Sequence, residues 1–507
     1  MPSPSPRAYR PSSSWALLRH LSLKNQTNQP SITSSKTIIH IYLMNLAVIS
    51  ILLLAMSVGS SLAQTRTITV STFVDEENLK ASPDQLGYSL ACNQDGYVLA
   101  ASAYGRASYA GNVFIYDKNL NTYKIDWRPS SSDNSAQDEF GQSLGMSYDT
   151  RYLVAGADSN TVLGKTNAGS AYVFYRSALN LRFDQQAQLQ ASDAQAEDYF
   201  GFATAISGDA NTVAVGAVAT THPTTKATES GAVYIYTRSG TSWPQQAKIM
   251  LSDAKDYDYF GWTVALSHDG NTLVVGAQGV SYDGVRFMDV NSTDPSAPLL
   301  NNAGAVFVYT RSNSQWTLLQ VLKASDAASW DQYGRTVTIS ADARLIIVGV
   351  MYKNVNGATN AGQVYVYEKN QMSGMYEEKA KLTASDPAEF DYFGSSVSYS
   401  SMNDTIVVGA YRKTSEDGTK TYAGAVYVFT NPDSNGWTEK AKLVASNAEA
   451  HDDFGYAVAL SLNAYTLFIG APGKTLNGVG NTGAVYFMDL TSIVQEWGSG
   501  GSSVIAA

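Results

Sequence analysis

Between about Gly87 and Met488 short apolar runs alternate with turns rich in Gly, Asp, Asn and Ser, and one phrase returns seven times at intervals of about sixty residues. In consensus it reads A-S-D-x-x-x-x-D-x-F-G, a short alternating strand, a turn, T-V-V-V-G-A, a variable loop and A-G-A-V-Y-V-Y. The glycine of the F-G position falls at Gly87, Gly141, Gly201, Gly261, Gly334, Gly394 and Gly455. Each copy holds four strand-like runs, in the third copy Phe202 to Ser207, Thr212 to Gly216, Ala232 to Thr237 and Gln245 to Met250. Val, Ile and Tyr enrichment within these runs supports strands, and no stretch sustains a helical period. A unit this small cannot bury its own apolar faces, so the copies must stack. The pattern predicts an all-β, seven-bladed propeller of four-stranded blades, because radial arrangement leaves only short, protected sheet edges.

WD and Kelch signatures are missing. The copies resemble the FG-GAP repeat of the integrin alpha-subunit head, through Phe140-Gly141, Phe200-Gly201, Phe260-Gly261, Phe393-Gly394 and Phe454-Gly455 and through the G-A or G-A-P at Gly216, Gly276, Gly409 and Gly470. The resemblance covers roughly residues 65 to 490. It implies a propeller used in adhesion or recognition, without the legs and C-terminal membrane span of an integrin subunit.

Register suggests how the ring closes. The seventh copy ends after Ala484 to Met488 without the K-A-K-L-x-A-S-D run that elsewhere forms the outermost strand, whereas Leu79 to Ser82 lines up with Leu382 to Ser385. The segment around Thr69 to Lys80 is therefore expected to supply the outer strand of the last blade. Ile493 to Trp497 is the competing choice.

Three regions follow: a leader over 1–63, the propeller over 65–490 and a flexible tail over 491–507. Met44 to Ala63 has an apolar stretch followed by small residues, which reads as a signal-peptide core and predicts secretion. Residues 1–43, Ser/Pro-rich and free of acidic side chains, read as an upstream extension, a long n-region or a transit-like peptide, leaving either Met1 or Met44 as the start. An uncleaved N-terminal anchor stays open, since the apolar run counted from Ile38 is long enough to span a bilayer. Residues 1–64 hold five basic and no acidic side chains, leaving 29 basic against 44 acidic beyond them, a net charge of −15. That balance argues against nucleic acid as a partner. Cys92 is the only cysteine, so no internal disulfide can form, and a buried apolar role is expected for it. Secretion would give meaning to the sequons at Asn291 and Asn403.

Integrin-type calcium loops would fall between first and second strands, but the turns there, such as Ser207 to Asn211, offer only one or two side-chain oxygens each. No cofactor is expected, calcium being the alternative. A different acidic pattern does recur: Asp133/Asp138, Asp193/Asp198, Asp253/Asp258, Asp326/Asp331, Asp386/Asp391 and Asn447/Asp452. These pairs are expected to accept hydrogen bonds from turn amides. The other reading is a cation or sugar site, for which Asp256 and Asp258 make the fourth copy the best candidate. Phe140, Phe200, Phe260, Tyr333, Phe393 and Phe454 read as wedges between sheets.

What varies is the loop between second and third strands. It is longest in the fourth copy, where Tyr282, Arg286, Phe287 and Met288 offer the residue types enriched at binding hot spots. With no H-E-x-x-H, G-x-S-x-G or Cys/His cluster, the chain reads as a secreted or surface-tethered propeller, not an enzyme, that binds an extracellular protein or glycan through its loop-rich face. A polysaccharide hydrolase or lyase is the alternative.

Overall fold

The computed structural model describes residues 66–70, 72–73, 83–119, 122–133, 135–179, 181–282, 299–431 and 436–490. The repeats become seven antiparallel blades whose strands pair in chain order, inner to outer. Blade three is Phe200–Ile206, Thr212–Ala217, Ala232–Thr237 and Gln245–Ile249. Blade six is Ser396–Ser400, Thr405–Ala410, Ala425–Thr430 and Thr438–Ala445.

Burial explains why the second strands are apolar throughout. All seven, Thr212–Ala217 and Thr405–Ala410 among them, are buried at every position. Each is covered on both faces by neighbouring blades, so no polar alternation is needed. The outer strands meet solvent on one side and do alternate, as in Tyr376–Leu382 (Y-E-E-K-A-K-L). The predicted wedges hold: Phe140, Phe200, Phe260, Tyr333, Phe393 and Phe454 are fully buried. Phe200 lies in one cluster with Val154 and Val173 of blade two and Val213 and Tyr234 of blade three, meeting the Tyr234 ring edge-on at 5.4 Å.

Glycine is required where blades touch. A Cβ on Gly216 would sit 2.1 Å from the Gly261 carbonyl oxygen, and one on Gly156 would sit 1.9 Å from that of Gly201. Gly201 also has φ +104°, a region closed to side-chain-bearing residues. The F-G glycine of one blade thus lies against the G-A glycine of the blade before it, except that Gly141 meets Ser102 of blade one. Blade seven meets blade one through the same contact, Gly470 against Gly87, so the ring is closed.

The N-terminal segment does close the last blade, with a different register and an addition. Thr72–Phe73 pairs antiparallel with Tyr486 and Val485, as the outer strand of blade seven. Arg66–Val70 instead pairs in parallel with Ala441 to Ala445, a fifth strand on blade six. The chain therefore covers the exposed edge of blade six before it reaches blade seven, which removes a free edge. The sequence placed Thr69 to Lys80 wholly on blade seven. Most of that segment, including Leu79 to Ser82, lies outside the described residues, as do the leader and Ile493 to Trp497.

Candidate functional site

The connection entering each blade is stitched to the loop before the third strand of the previous blade. At blade three the amides of Glu197, Tyr199 and Phe200 donate to the carbonyls of Thr166, Asn167 and Ala168 at 3.0–3.1 Å. Glu197 and Tyr199 hold φ +64° and +53° to do so, and the pattern recurs at Tyr257/Tyr259, Trp330/Gln332 and Phe390/Tyr392. Such conformations cost on the order of 1 kcal/mol or more each, offset here by bonds across the seam. Both loop sets therefore emerge on one face.

The repeated aspartates serve this frame. Asp138, Asp198, Asp258, Asp331, Asp391 and Asp452 are buried, and each accepts the amide three residues upstream at 2.6–2.8 Å. The first member of the pair takes a tyrosine hydroxyl: Tyr234 donates to Asp193 at 2.8 Å, Tyr365 to Asp326 and Tyr427 to Asp386 at 2.6 Å. A seventh copy escaped the sequence reading. Asp84, three residues before Gly87, is buried and takes Arg106 at 3.0 Å. Leu86 in the aromatic position hid it, and the spacing to the glycine was its only signal.

Beside this aspartate, three residues beyond the second strand, stands a position that differs between blades: Arg106, Asn160, Thr220, Val280, Lys353, Lys413 and Lys474. In blades five to seven the lysines are buried and donate to Asp331, Asp391 and Asp452 at 2.8, 2.7 and 2.9 Å. Each also donates to the carbonyl of the first pair member, Asp326, Asp386 or Asn447. Burial raises the pKa of Asp331, Asp391 and Asp452 despite the ammonium beside each. In blade three the equivalent residue is Thr220, and a pocket of about 660 Å³ opens among Asp193, Glu197, Asp198, Thr220, Glu229 and Lys248.

At the axial end of the same face, residues following the F-G glycines meet residues just past the second strands in an aromatic and arginine collar. Arg335 lies over Trp262 at 4.9 Å and Tyr352 at 5.7 Å and donates to Gln278 at 2.9 Å. Tyr88 stacks on Tyr104 at 4.5 Å and meets Tyr456 at 5.1 Å. Arg412 lies over Tyr392, Tyr411 and Tyr422. Burial pushes Asp453 up to about 7, although the nearby Arg412 guanidinium pulls it down.

Asp256 and Asp258, named from sequence, serve the frame. Asp256 accepts the amide and hydroxyl of Thr228 at 2.7 and 3.1 Å, and Asp258 is buried against the Lys255 amide. Tyr282 anchors the base of its loop: its hydroxyl donates to the Gly304 carbonyl, and its backbone exchanges two 2.9 Å bonds with Leu300. Its ring packs against the core shared by blades three and four, and burial, then the charges of Tyr367 and Asp331, raises its pKa. Arg286, Phe287, Met288 and Asn291 lie outside the described residues, and Asn403 belongs to the 3-10 turn Met402–Asp404.

On the opposite face the short turns close on themselves. Asp209 accepts from the Ser207 hydroxyl at 2.5 Å and from the Asn211 amide at 3.0 Å. Burial pushes the equivalent Asp269 up, but the Ser267 hydroxyl and the Asn271 amide hold it below the usual carboxylate range. Among the described residues no group of three or more His, Cys, Asp and Glu is placed to hold a metal ion. Burial pushes the Cys92 thiol up to about 12.

A closed ring of seven four-stranded blades, joined glycine to glycine at six seams and Ser102 to Gly141 at the seventh, is a β-propeller whose seams carry the F-G and G-A positions of the motif. The chain matches the FG-GAP repeat over residues 130–174, 183–236, 243–287, 316–367, 376–429 and 437–488, and it belongs to that family. Blade one, with Leu86 and Ser102 in the F-G and G-A positions, falls outside the matches. Comparison with curated proteins returns no match. Among solved structures the chain is similar to Kuenenia stuttgartiensis hydrazine synthase, at 13% identity and a TM-score of 0.47, over 78% of this chain and 93% of that one.

Proposed function

We propose that this propeller is a binding module that recognises an extracellular protein or glycan through the face carrying its stitched loops. One observation carries the reading: on that face an identical backbone frame recurs from blade to blade, while the residue beside each buried aspartate changes from Arg to Asn, Thr, Val or Lys. A rigid scaffold bearing variable loops is the arrangement that separates folding from specificity. The three histidines beyond the leader also support binding over hydrolysis. His222 accepts the Thr225 amide at 3.0 Å, His268 stacks on Tyr148 on the opposite face, and His451 packs edge-on against Tyr422. The test is to express the full chain in a secreting cell, recover it from the medium and screen it against glycan and cell-surface protein arrays. Reproducible capture that is lost when the loops of this face are exchanged between blades supports the reading. Capture that survives every such exchange overturns it.

The second reading, a polysaccharide hydrolase or lyase, rests on Asp453 beside Arg412 at the axial end, since a carboxyl titrating near neutrality suits acid-base chemistry. Turnover of a polysaccharide panel, abolished by Asp453→Asn, would favour it.

A further inference from the structure

We propose that the pocket of blade three binds a primary ammonium group, the lysine side chain of a partner protein or a free amine. The inference rests on the binding reading above and gives it a chemistry.

The ring itself shows what this niche accepts. In blades five and six the ammonium of Lys353 or Lys413 sits between the carboxylate of the second aspartate and the backbone carbonyl of the first. Blade three repeats the acceptors in the same places. Asp198 is 3% exposed, and its carboxylate takes the Gln195 amide at 2.7 Å, as Asp391 takes that of Ala388. Asp193 takes the Tyr234 hydroxyl, as Asp386 takes that of Tyr427. Thr220 is too short to bring a cation to them.

The Thr220 hydroxyl is an independent sign. The residue is 4% exposed, and its Oγ1 is buried without a well-formed hydrogen bond, although it lies near enough to Asp198 to favour that charge slightly. An ammonium has three protons to donate. Here the Asp198 carboxylate would take one, and the Asp193 carbonyl, which already accepts the Gln195 side-chain amide at 3.0 Å, would take another on its second lone pair.

Lys248 does not fill this role. It bonds Asp193 Oδ2 at 2.7 Å from the outer strand. Its counterparts Lys381 and Lys442 bond Asp326 and Asp386 at 2.9 Å while Lys353 and Lys413 are also present. A second ammonium is therefore compatible with the first. Charge agrees, since Asp193, Glu197, Asp198 and Glu229 face the single Lys248 across the pocket. Blades two and four do not share the arrangement. Asn160 donates to Asp138 at 3.2 Å in one, and the fully buried Val280 stands at the position in the other.

The test titrates the full secreted protein with Nα-acetyl-lysine methylamide, with butylamine and with the Nε-acetylated lysine derivative, read by calorimetry. Both amines should bind weakly, on the order of millimolar, and acetylation should abolish binding. Thr220→Lys, which copies blades five to seven, should weaken amine binding at least about tenfold while the melting temperature holds or rises. If that variant fails to fold, Thr220→Met fills the niche without charge and should give the same loss. A lysine-bearing peptide that binds more tightly than butylamine identifies a protein side chain as the source, and equal affinity identifies a free amine. Absence of amine binding, or binding unchanged in the folded variant, overturns the proposal. If an array ligand is captured with no dependence on Thr220 or on amines, the pocket fails while the binding reading stands. Amine binding without any array ligand has the opposite meaning.

Discussion

Blades three and six have the same frame and differ at its centre. In both, an aspartate accepts an amide three residues upstream at 2.7 Å, a tyrosine hydroxyl holds the partner aspartate, and an outer-strand lysine reaches that aspartate at 2.7 or 2.9 Å. Blade six adds Lys413 to the niche and carries Arg66–Val70 on its outer edge, whereas blade three has Thr220 and a pocket. The aspartates recur because every turn needs its own hydrogen bonds. The residue beside them is free to differ, because the turn is already complete without it.

The seam is common to both blades, so breaking it should erase the comparison altogether. Gly216→Val places side-chain atoms against the Gly261 carbonyl, a backbone atom that cannot step aside. The variant should fail to fold, at a cost above about 4 kcal/mol, seen as loss of the cooperative melting transition of the expressed protein. A wild-type melting curve would refute the close-packed seam.

Deleting residues 66–73 uncovers the outer edge of blade six and removes the outer strand of blade seven. Five parallel and two antiparallel ladder pairs are lost. At roughly 0.5–1.5 kcal/mol per hydrogen bond the loss is on the order of 5 kcal/mol, and aggregation through the bared edge should rise. Light scattering and a melting curve read both effects. An unchanged melt would show that the clasp contributes nothing.

Lys413→Thr converts the niche of blade six into that of blade three. Leaving the buried Asp391 without its ammonium should cost about 3 kcal/mol, measured by denaturant unfolding. Thr220→Lys in blade three should cost nothing. Equal effects of the two substitutions would mean that the blades are interchangeable, contrary to the structure.

Asp452 and Asp453 allow the same contrast within one blade. Asp452 has Lys474, whereas burial pushes Asp453 up to about 7 against the pull of the nearby Arg412 guanidinium. Its folded pKa lies above the unfolded value, so its stabilising contribution is complete in acid and is lost as pH rises through about 7. Asp453→Asn should therefore raise the melting temperature modestly at pH 8 and leave it nearly unchanged at pH 4. A change of equal size at both pH values would assign the effect to packing. The smallest expected effect is that of EDTA, which should leave the melting temperature unmoved, because turns such as Ser207 to Asn211 use their oxygens internally.

Much of the frame was legible in the sequence because each feature is local. Strand alternation, the F-G and G-A glycines and the aspartate spacing all lie within one copy. Asp84 was missed where Leu86 and Ser102 depart from the motif. The niche was missed for another reason: Thr220 is an ordinary loop threonine until Lys353, Lys413 and Lys474 are set beside it, and their shared role depends on where the chain folds back. The partner of Arg66–Val70 was equally out of reach. R-T-I-T-V reads as a strand, but nothing in those five residues chooses blade six over blade seven.

That last pairing has a consequence for how the molecule is made. Arg66 lies opposite Ala441, so one of the first strands to leave the ribosome must wait for one of the last before it can dock. Blades two to five can assemble from neighbouring sequence as they emerge, whereas the N-terminal strand stays without a partner through most of synthesis. Contacts of such long sequence separation form late and slowly. During that interval an unpaired edge strand is open to capture by another chain. The ring thus finishes folding where it began, and its most vulnerable moment is the one just before it closes.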